Sequence, residues 1–173
     1  MEIVEELIKI LLPAAIVLYA MYLTVRAFLN KEFERKLIDI KLKNTEIVLP
    51  VRLQAYERMC LFLERISPNN LILRLNNSML SANDLHQLLL AEIREEYHHN
   101  LSQQVYMSDR AWQQIKAAME EIITIINSAA SSVAADGKSI DLAKAIFDRI
   151  IQQDLDPSGG ALRYIKDEIR QVF

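Results

Sequence analysis

The chain has 173 residues, a formal net charge of −3, one cysteine, three glycines and four prolines. A charge so near balance leaves no electrostatic footprint for nucleic acid, and a lone cysteine excludes an internal disulfide. Few Gly and Pro against abundant Ala, Leu, Ile, Glu and Gln point to helices throughout, with no low-complexity tract and no internal repeat.

Ile10 to Val25, ILLPAAIVLYAMYLTV, contains no charged residue. Sixteen such residues make about 24 Å of helix, and Leu7, Ile8, Ala27, Phe28 and Leu29 extend it toward the roughly 30 Å of a bilayer core. Lys9 and Arg26 stand at the edges, with Lys31 just beyond, where long cationic side chains reach headgroups. Pro13 falls in an early turn, where its missing donor costs little. The pattern predicts a transmembrane helix over 10–29, with a buried core helix as the competing reading. The preceding MEIVEELIK holds Glu2, Glu5 and Glu6 against Lys9, which does not suit the positive start of a secretory signal. Arg26, Lys31, Arg35, Lys36, Lys41 and Lys43 follow the span, and positive residues stay on the cytoplasmic side. The expected topology is therefore single-pass in a bacterial inner membrane. Residues 1–9 lie outside, and the C-terminal part lies in the cytosol, a reducing compartment that suits Cys60.

Residues 30–45 read as a helical extension of the span. Leu29, Phe33, Leu37 and Ile40 form a one-sided apolar stripe among charged positions. That stripe calls for a partner, either the chain's own helices or another copy. The interleaved Lys and Arg residues serve orientation and solubility, or contact anionic lipid.

Residues 46–173 read as a cytosolic bundle. Asn44 to Val48 suggests a connection, Pro50 suits the first turn of a helix, and Ser67-Pro68 ends that helix after Ile66. Leu49, Leu53, Tyr56, Met59, Cys60, Phe62, Leu63 and Ile66 form its broad apolar face. Leu71 to Leu75 is too short to assign. Ser81 and Asp84 form a capping box for a helix whose stripe runs Leu85, Leu89, Ile93, Tyr97, Leu101, Val105 and which ends near Tyr106. Ser108 caps the next helix, expected from Asp109 to about Ala135 with Gly137 as its stop. Its seam of Trp112, Ile115, Met119, Ile122, Ile126, Ala129 and Val133 marks it as the central helix, within an intramolecular bundle or a coiled-coil dimer. Ser139 is expected to cap a helix with Leu142, Ala143, Ile146, Phe147 and Ile150 inward. Asp156 and Pro157 open a last one with Leu162, Ile165, Ile169 and Val172 inward. The fold class is therefore all-α, a transmembrane helix extended into the cytosol and followed by an antiparallel bundle of about five helices.

Chemistry is sparse. Glu95 and His98, and Glu96 and His99, have Glu-x-x-His spacing beside Glu92, but a di-iron bundle needs that motif twice and His86 lies off the face. Cys60 in an apolar run reads as a buried hydrophobe. Phosphate loops and nucleophile elbows are absent from the sequence. No catalytic residue, metal ligand, cofactor or small-molecule substrate is expected. The polar residues Arg52, Tyr56, Glu57 and Arg58, and Asn100, Ser102, Gln103, Gln104 and Tyr106, are candidates for a shared polar contact that joins two helices or forms a partner surface.

The stretches LPVRLQAYERMCLFLERISPNNLILRL from Leu49 and EYHHNLSQQVYMS from Glu96, with Trp112 after them, resemble a family of small single-pass membrane proteins of unknown function found mainly in Bacteroidetes. The resemblance implies location and architecture, and no activity. The expected role is a non-enzymatic scaffold or assembly subunit of a membrane complex, with the lipid bilayer and a protein partner or homo-oligomer as its contacts. The alternatives are a metal-binding bundle enzyme using Glu95 and His98, and a stator-like stalk resembling membrane-anchored ATP synthase b subunits. Pro50, Pro68, Gly137 and Pro157 speak against the stalk by breaking the chain.

Overall fold

The computed structural model describes residues 2–171; the side chains of residues 2–8, 10, 13 and 44 lie outside that description, as does all of Val172 and Phe173. The described residues hold six α-helices, one 3₁₀ helix and no strand. The helices are α1 (Glu2–Ile66), α2 (Pro68–Leu75), α3 (Ala82–Asn100), α4 (Asp109–Ala130), α5 (Ser139–Gln152) and α6 (Gly159–Arg170), with the 3₁₀ segment Leu101–Tyr106 after α3. The chain divides into two compact units, Met1–Leu49 and Pro50–Phe173.

Met1–Leu49 is helical throughout its described residues. The expected connection at Asn44 to Val48 is absent, because α1 continues through Pro50 to Ile66. Pro50 lacks an amide to donate and so removes one ladder bond, yet the helix is unbroken on either side, and the unit boundary falls just before it. A one-helix unit has no second element on which to bury a side chain, and Leu18, Tyr22, Phe28, Phe33, Leu37 and Ile40 are all exposed. Among the described residues no helix is long and apolar enough to cross a membrane. Ile10 and Pro13 of the stretch expected to span have side chains outside those residues.

Pro50–Phe173 has a continuous core. Tyr56, Met59, Phe62, Leu63 and Ile66 from the end of α1 meet Leu85, Leu89 and Ile93 of α3, Ile115, Ile122 and Ile126 of α4, Leu142 and Ile146 of α5, and Leu162 and Ile165 of α6. The stripes expected from spacing supply most of these residues. α3 departs from expectation at its end. It stops at Asn100 rather than near Tyr106, and Leu101 and Val105, in the 3₁₀ segment that follows, are exposed. α4 packs on α3, α5 and α6, the central position its seam predicted.

Local chemistry sets the boundaries. α1 ends where Ser67 Oγ and Asn70 Nδ2 both donate to the Glu64 carbonyl, each at 2.8 Å. The unassigned Leu71 to Leu75 proves helical: Pro68 opens α2, and Leu71 and Ile72 are buried. Ser81 and Asp84 make the reciprocal capping box. α4 stops at Ala130 rather than near Ala135, because Ser131 and Ser132 turn their hydroxyls back onto the carbonyls of Ser128 and Ala129, at 2.8 and 2.7 Å. Gly137 lies beyond that end, and its carbonyl accepts from Ala82 N at 2.7 Å, which ties the starts of α3 and α5 together. Ser139 does not cap α5. It is the first helical residue, and its hydroxyl donates to the Asn77 carbonyl at 2.9 Å. α6 begins at Gly159, later than expected, with Ser158 rather than Asp156 at its N-cap, although Asp156 Oδ1 accepts from Gly159 N at 2.9 Å.

Candidate functional site

Within Pro50–Phe173 the two polar groups singled out from sequence are brought together by the last turns of α1 and the 3₁₀ segment. Arg52 Nε donates to the Tyr106 carbonyl at 3.2 Å, and its guanidinium lies 6.0 Å from the centre of the Tyr56 ring. Tyr56 is buried, and its hydroxyl donates to Glu168 of α6. The other Glu168 oxygen accepts from Ser108 Oγ at 2.7 Å, and Ser108 N approaches Oε1 at 3.3 Å. Ser108 Oγ also accepts from Ala111 N at 3.1 Å, so the residue that caps α4 is held by α6. One carboxylate therefore joins three helices.

Burial alone would raise the Glu168 carboxyl, but the hydrogen bonds from Tyr56 and Ser108 and the nearby Arg52 charge outweigh it, and its pKa is lowered. Burial, reinforced by the hydrogen bond to Glu168, raises the Tyr56 phenol.

The remaining candidates divide. Asn100 is buried and turns inward, its Nδ2 donating to the Glu96 carbonyl at 2.8 Å. Ser102 accepts from Gln103 Nε2 at 3.3 Å. Glu57 and Gln104 are exposed, with no side-chain hydrogen bond or ion pair among the described residues. Arg58, Ser102, Gln103 and Tyr106 line a hollow of about 370 Å³ with Val51, Gln54 and Val105. Arg58 also borders a second hollow of about 270 Å³, with Leu61, Phe62, Arg65, Glu96, His99 and Asn100. Arg65, Glu96 and His99 lead on to a third of about 350 Å³, with Glu92 and Glu95. These shallow hollows share residues and form one surface groove along α1 and α3, with Arg58, Arg65 and His99 set against Glu92, Glu95 and Glu96.

The Glu and His cluster finds its carboxylate partners among arginines. Glu96 pairs with Arg65, and Glu92 with Arg74 at 2.9 Å. Tyr97 turns inward, stacked on Trp112 at 5.7 Å and tilted against Phe62 at 6.2 Å. His86 lies apart, with Nε2 2.8 Å from Asn127 Oδ1. Among the described residues no group of three or more His, Cys, Asp or Glu side chains could hold a metal ion. Cys60 is half-buried, and burial raises its thiol pKa, which disfavours the reactive thiolate.

A family model described as a family of unknown function, DUF7935, matches residues 2–172. The chain belongs to that family. The match takes in both compact units, so this DUF7935 protein carries its N-terminal helix and its bundle as parts of one family plan. No curated protein and no solved structure matches it. Sequence reasoning on this DUF7935 member found Arg52, Tyr56 and, as a cap, Ser108. It missed Glu168, which is 112 residues from Tyr56 and 60 from Ser108. A single Glu on an amphipathic helix carries no local sign of such a partner.

Proposed function

We propose that this DUF7935 protein is a single-pass membrane protein that acts without catalysis, holding its helical bundle at the cytosolic face of an inner membrane as a scaffold or assembly subunit. The observation that carries the reading is the uncharged stretch from Ile10 to Val25, bounded by Lys9 and Arg26. Two features support it. Apolar side chains from Leu11 to Leu29 are exposed in a unit made of one helix, and hydrocarbon would cover them from all sides at once. Thr24 Oγ1 donates to the Ala20 carbonyl at 2.8 Å, so that hydroxyl is satisfied within the helix, as a bilayer requires. The groove along α1 and α3 is the surface offered to a protein partner. Its mixed charge and shallowness suit a polypeptide segment better than a small molecule, whose sites are mostly apolar and enclosing.

The test is fractionation of cells expressing the full-length chain, followed by alkaline extraction. The wild type should stay in the membrane pellet. Leu18→Arg costs about 2.5–3.5 kcal/mol at the centre of a span and should move a large part of the chain to the supernatant. A wild-type chain released by alkali would end the anchor reading. A phosphatase fused after Phe173 should be inactive, because that enzyme needs the oxidising side.

A further inference from the structure

We propose that a hollow walled by α3 and α4 and floored by α5 binds a small neutral molecule that carries an amide-type edge, a carbonyl beside an N–H. It lies wholly within Pro50–Phe173 and stands apart from the membrane anchor. The hollow measures about 270 Å³. It forms where Ala82 of α3, Ala130 of α4 and Ala135 in the turn after α4 leave room that longer side chains would fill. Ala82 and Leu142 of α5 are buried and make an apolar floor. The turn is tied across the start of α3, with Ala82 N donating to the Gly137 carbonyl at 2.7 Å and Asn83 N to that of Ala135 at 3.2 Å. Backbone bonds therefore fix this wall, and the space is built into the fold.

The lining disfavours ions. Unlike the groove along α1 and α3, it contains no Asp, Glu, Lys or Arg. The first amides of α3 have no bond left for an anion. Besides the two bonds to the turn, Asp84 N donates to Ser81 Oγ at 3.1 Å and Leu85 N to the Ser81 carbonyl at 3.0 Å. The last carbonyls of α4, which would attract a cation, accept the hydroxyls of Ser131 and Ser132. Two carboxamides and an imidazole remain at the mouth. His86 Nε2 lies 2.8 Å from Asn127 Oδ1, which orients the Asn127 amide and leaves its Nδ2 with no bond among the described residues. Asn83 lines the same mouth, its side-chain amide likewise unbonded among those residues. A carboxamide offers a donor beside an acceptor, so it pairs through two bonds with an edge of the same kind. An apolar floor under a few polar groups is the make-up of a small-molecule site, and about 270 Å³ falls just under the roughly 300–1,000 Å³ of drug-sized ones. The occupant is accordingly small, a single ring bearing a carboxamide or a lactam.

Benzamide is the probe, with benzoate, benzamidine and toluene as its anionic, cationic and apolar relatives. The full-length chain, methyl-labelled at Ala and Leu and held in detergent, is titrated through the millimolar range expected of so small a ligand and followed by NMR. Benzamide should give saturable shifts at the methyl groups of Ala82, Ala130 and Leu142, at least several-fold tighter than the other three. Asn83→Ala removes an exposed carboxamide that holds nothing in the fold, and should weaken benzamide at least several-fold with an unchanged thermal midpoint. Ala130→Leu fills the hollow and should abolish binding. Absence of saturable shifts at those methyl groups in the wild type overturns the proposal, and so does benzoate or benzamidine binding as tightly as benzamide. Toluene equal to benzamide also overturns it, and is the result expected of a hollow that only receives an apolar side chain from a partner protein. If Ala130→Leu fails to fold, Asn83→Ala decides alone, and undiminished binding there overturns the assignment.

Discussion

Glu168 is the side chain that links α1, α4 and α6, because it accepts hydrogen bonds from both Tyr56 and Ser108. Tyr56→Phe removes one of those bonds while keeping the buried ring, and should cost about 1 kcal/mol, near the usual net worth of a hydrogen bond. Urea denaturation should show a lower midpoint with an unchanged slope. The two shifted groups also set a pH window. The Glu168 pKa is lowered in the fold, so its contribution is present above the unfolded value of about 4.3 and lost as pH falls through the folded one. The Tyr56 pKa is raised, so its contribution is present below the unfolded value of about 10 and lost as pH rises through the folded one. Glu168→Gln should flatten part of the acid limb of a stability–pH profile, and Tyr56→Phe part of the alkaline limb. Parallel limbs in wild type and variants would show that the network carries no linkage.

At the scale of the element, the starts of α3 and α4 are legible from their caps, whereas the start expected at Pro50 lies inside α1 and Ser139 is the first residue of α5 rather than its cap. Ser81 and Ser108 cap as their spacing indicated, because a cap bonds an amide only two or three residues ahead. α4 ends at Ala130, short of the conspicuous stop at Gly137, because Ser131 and Ser132 act by bonding backward. α5 shows the same difficulty. It closes in a Schellman motif, with Leu155 N donating to the Ile150 carbonyl at 3.0 Å and Asp154 N to that of Ile151 at 3.3 Å. The left-handed position of that motif usually belongs to Gly, and here Asp154 occupies it with φ 48°. Asp154→Gly should therefore stabilise the chain by about 0.5–1 kcal/mol, the strain of a side chain in that region less the extra freedom of glycine when unfolded. A rise in the thermal midpoint is the expected reading, and a fall would mean that the Asp carboxylate does more than tolerate the turn. The candidate site shows the same rule over longer distances. Arg52 and Tyr56 stood out as polar residues in an apolar helix, but their partner on α6 had no signal a local pattern could carry.

At the scale of the whole molecule, the two units obey different physics. Every buried hydrophobic residue among those described lies between Ala55 and Ile165, so Pro50–Phe173 contains its own core. A chain starting at Pro50 should fold alone, with helical circular dichroism and a single cooperative transition. The last four turns of α1 belong to that unit in energetic terms even though their helix begins far upstream. A chain starting at Ser67 lacks Tyr56, Met59, Phe62, Leu63 and Ile66, each less than 3% exposed. At about 1.5–3 kcal/mol for each buried side chain, their loss is comparable to the 5–15 kcal/mol by which a domain exceeds its unfolded state. The shorter chain should show no cooperative unfolding and should bind hydrophobic dyes. Equal stability of the two would mean that α1 only borders the bundle. Pro50 opens no helix, since α1 runs through it, although the boundary between the two compact units falls just before it. The missing connection was not legible, since one lost amide is a local cost that the ladder on either side absorbs.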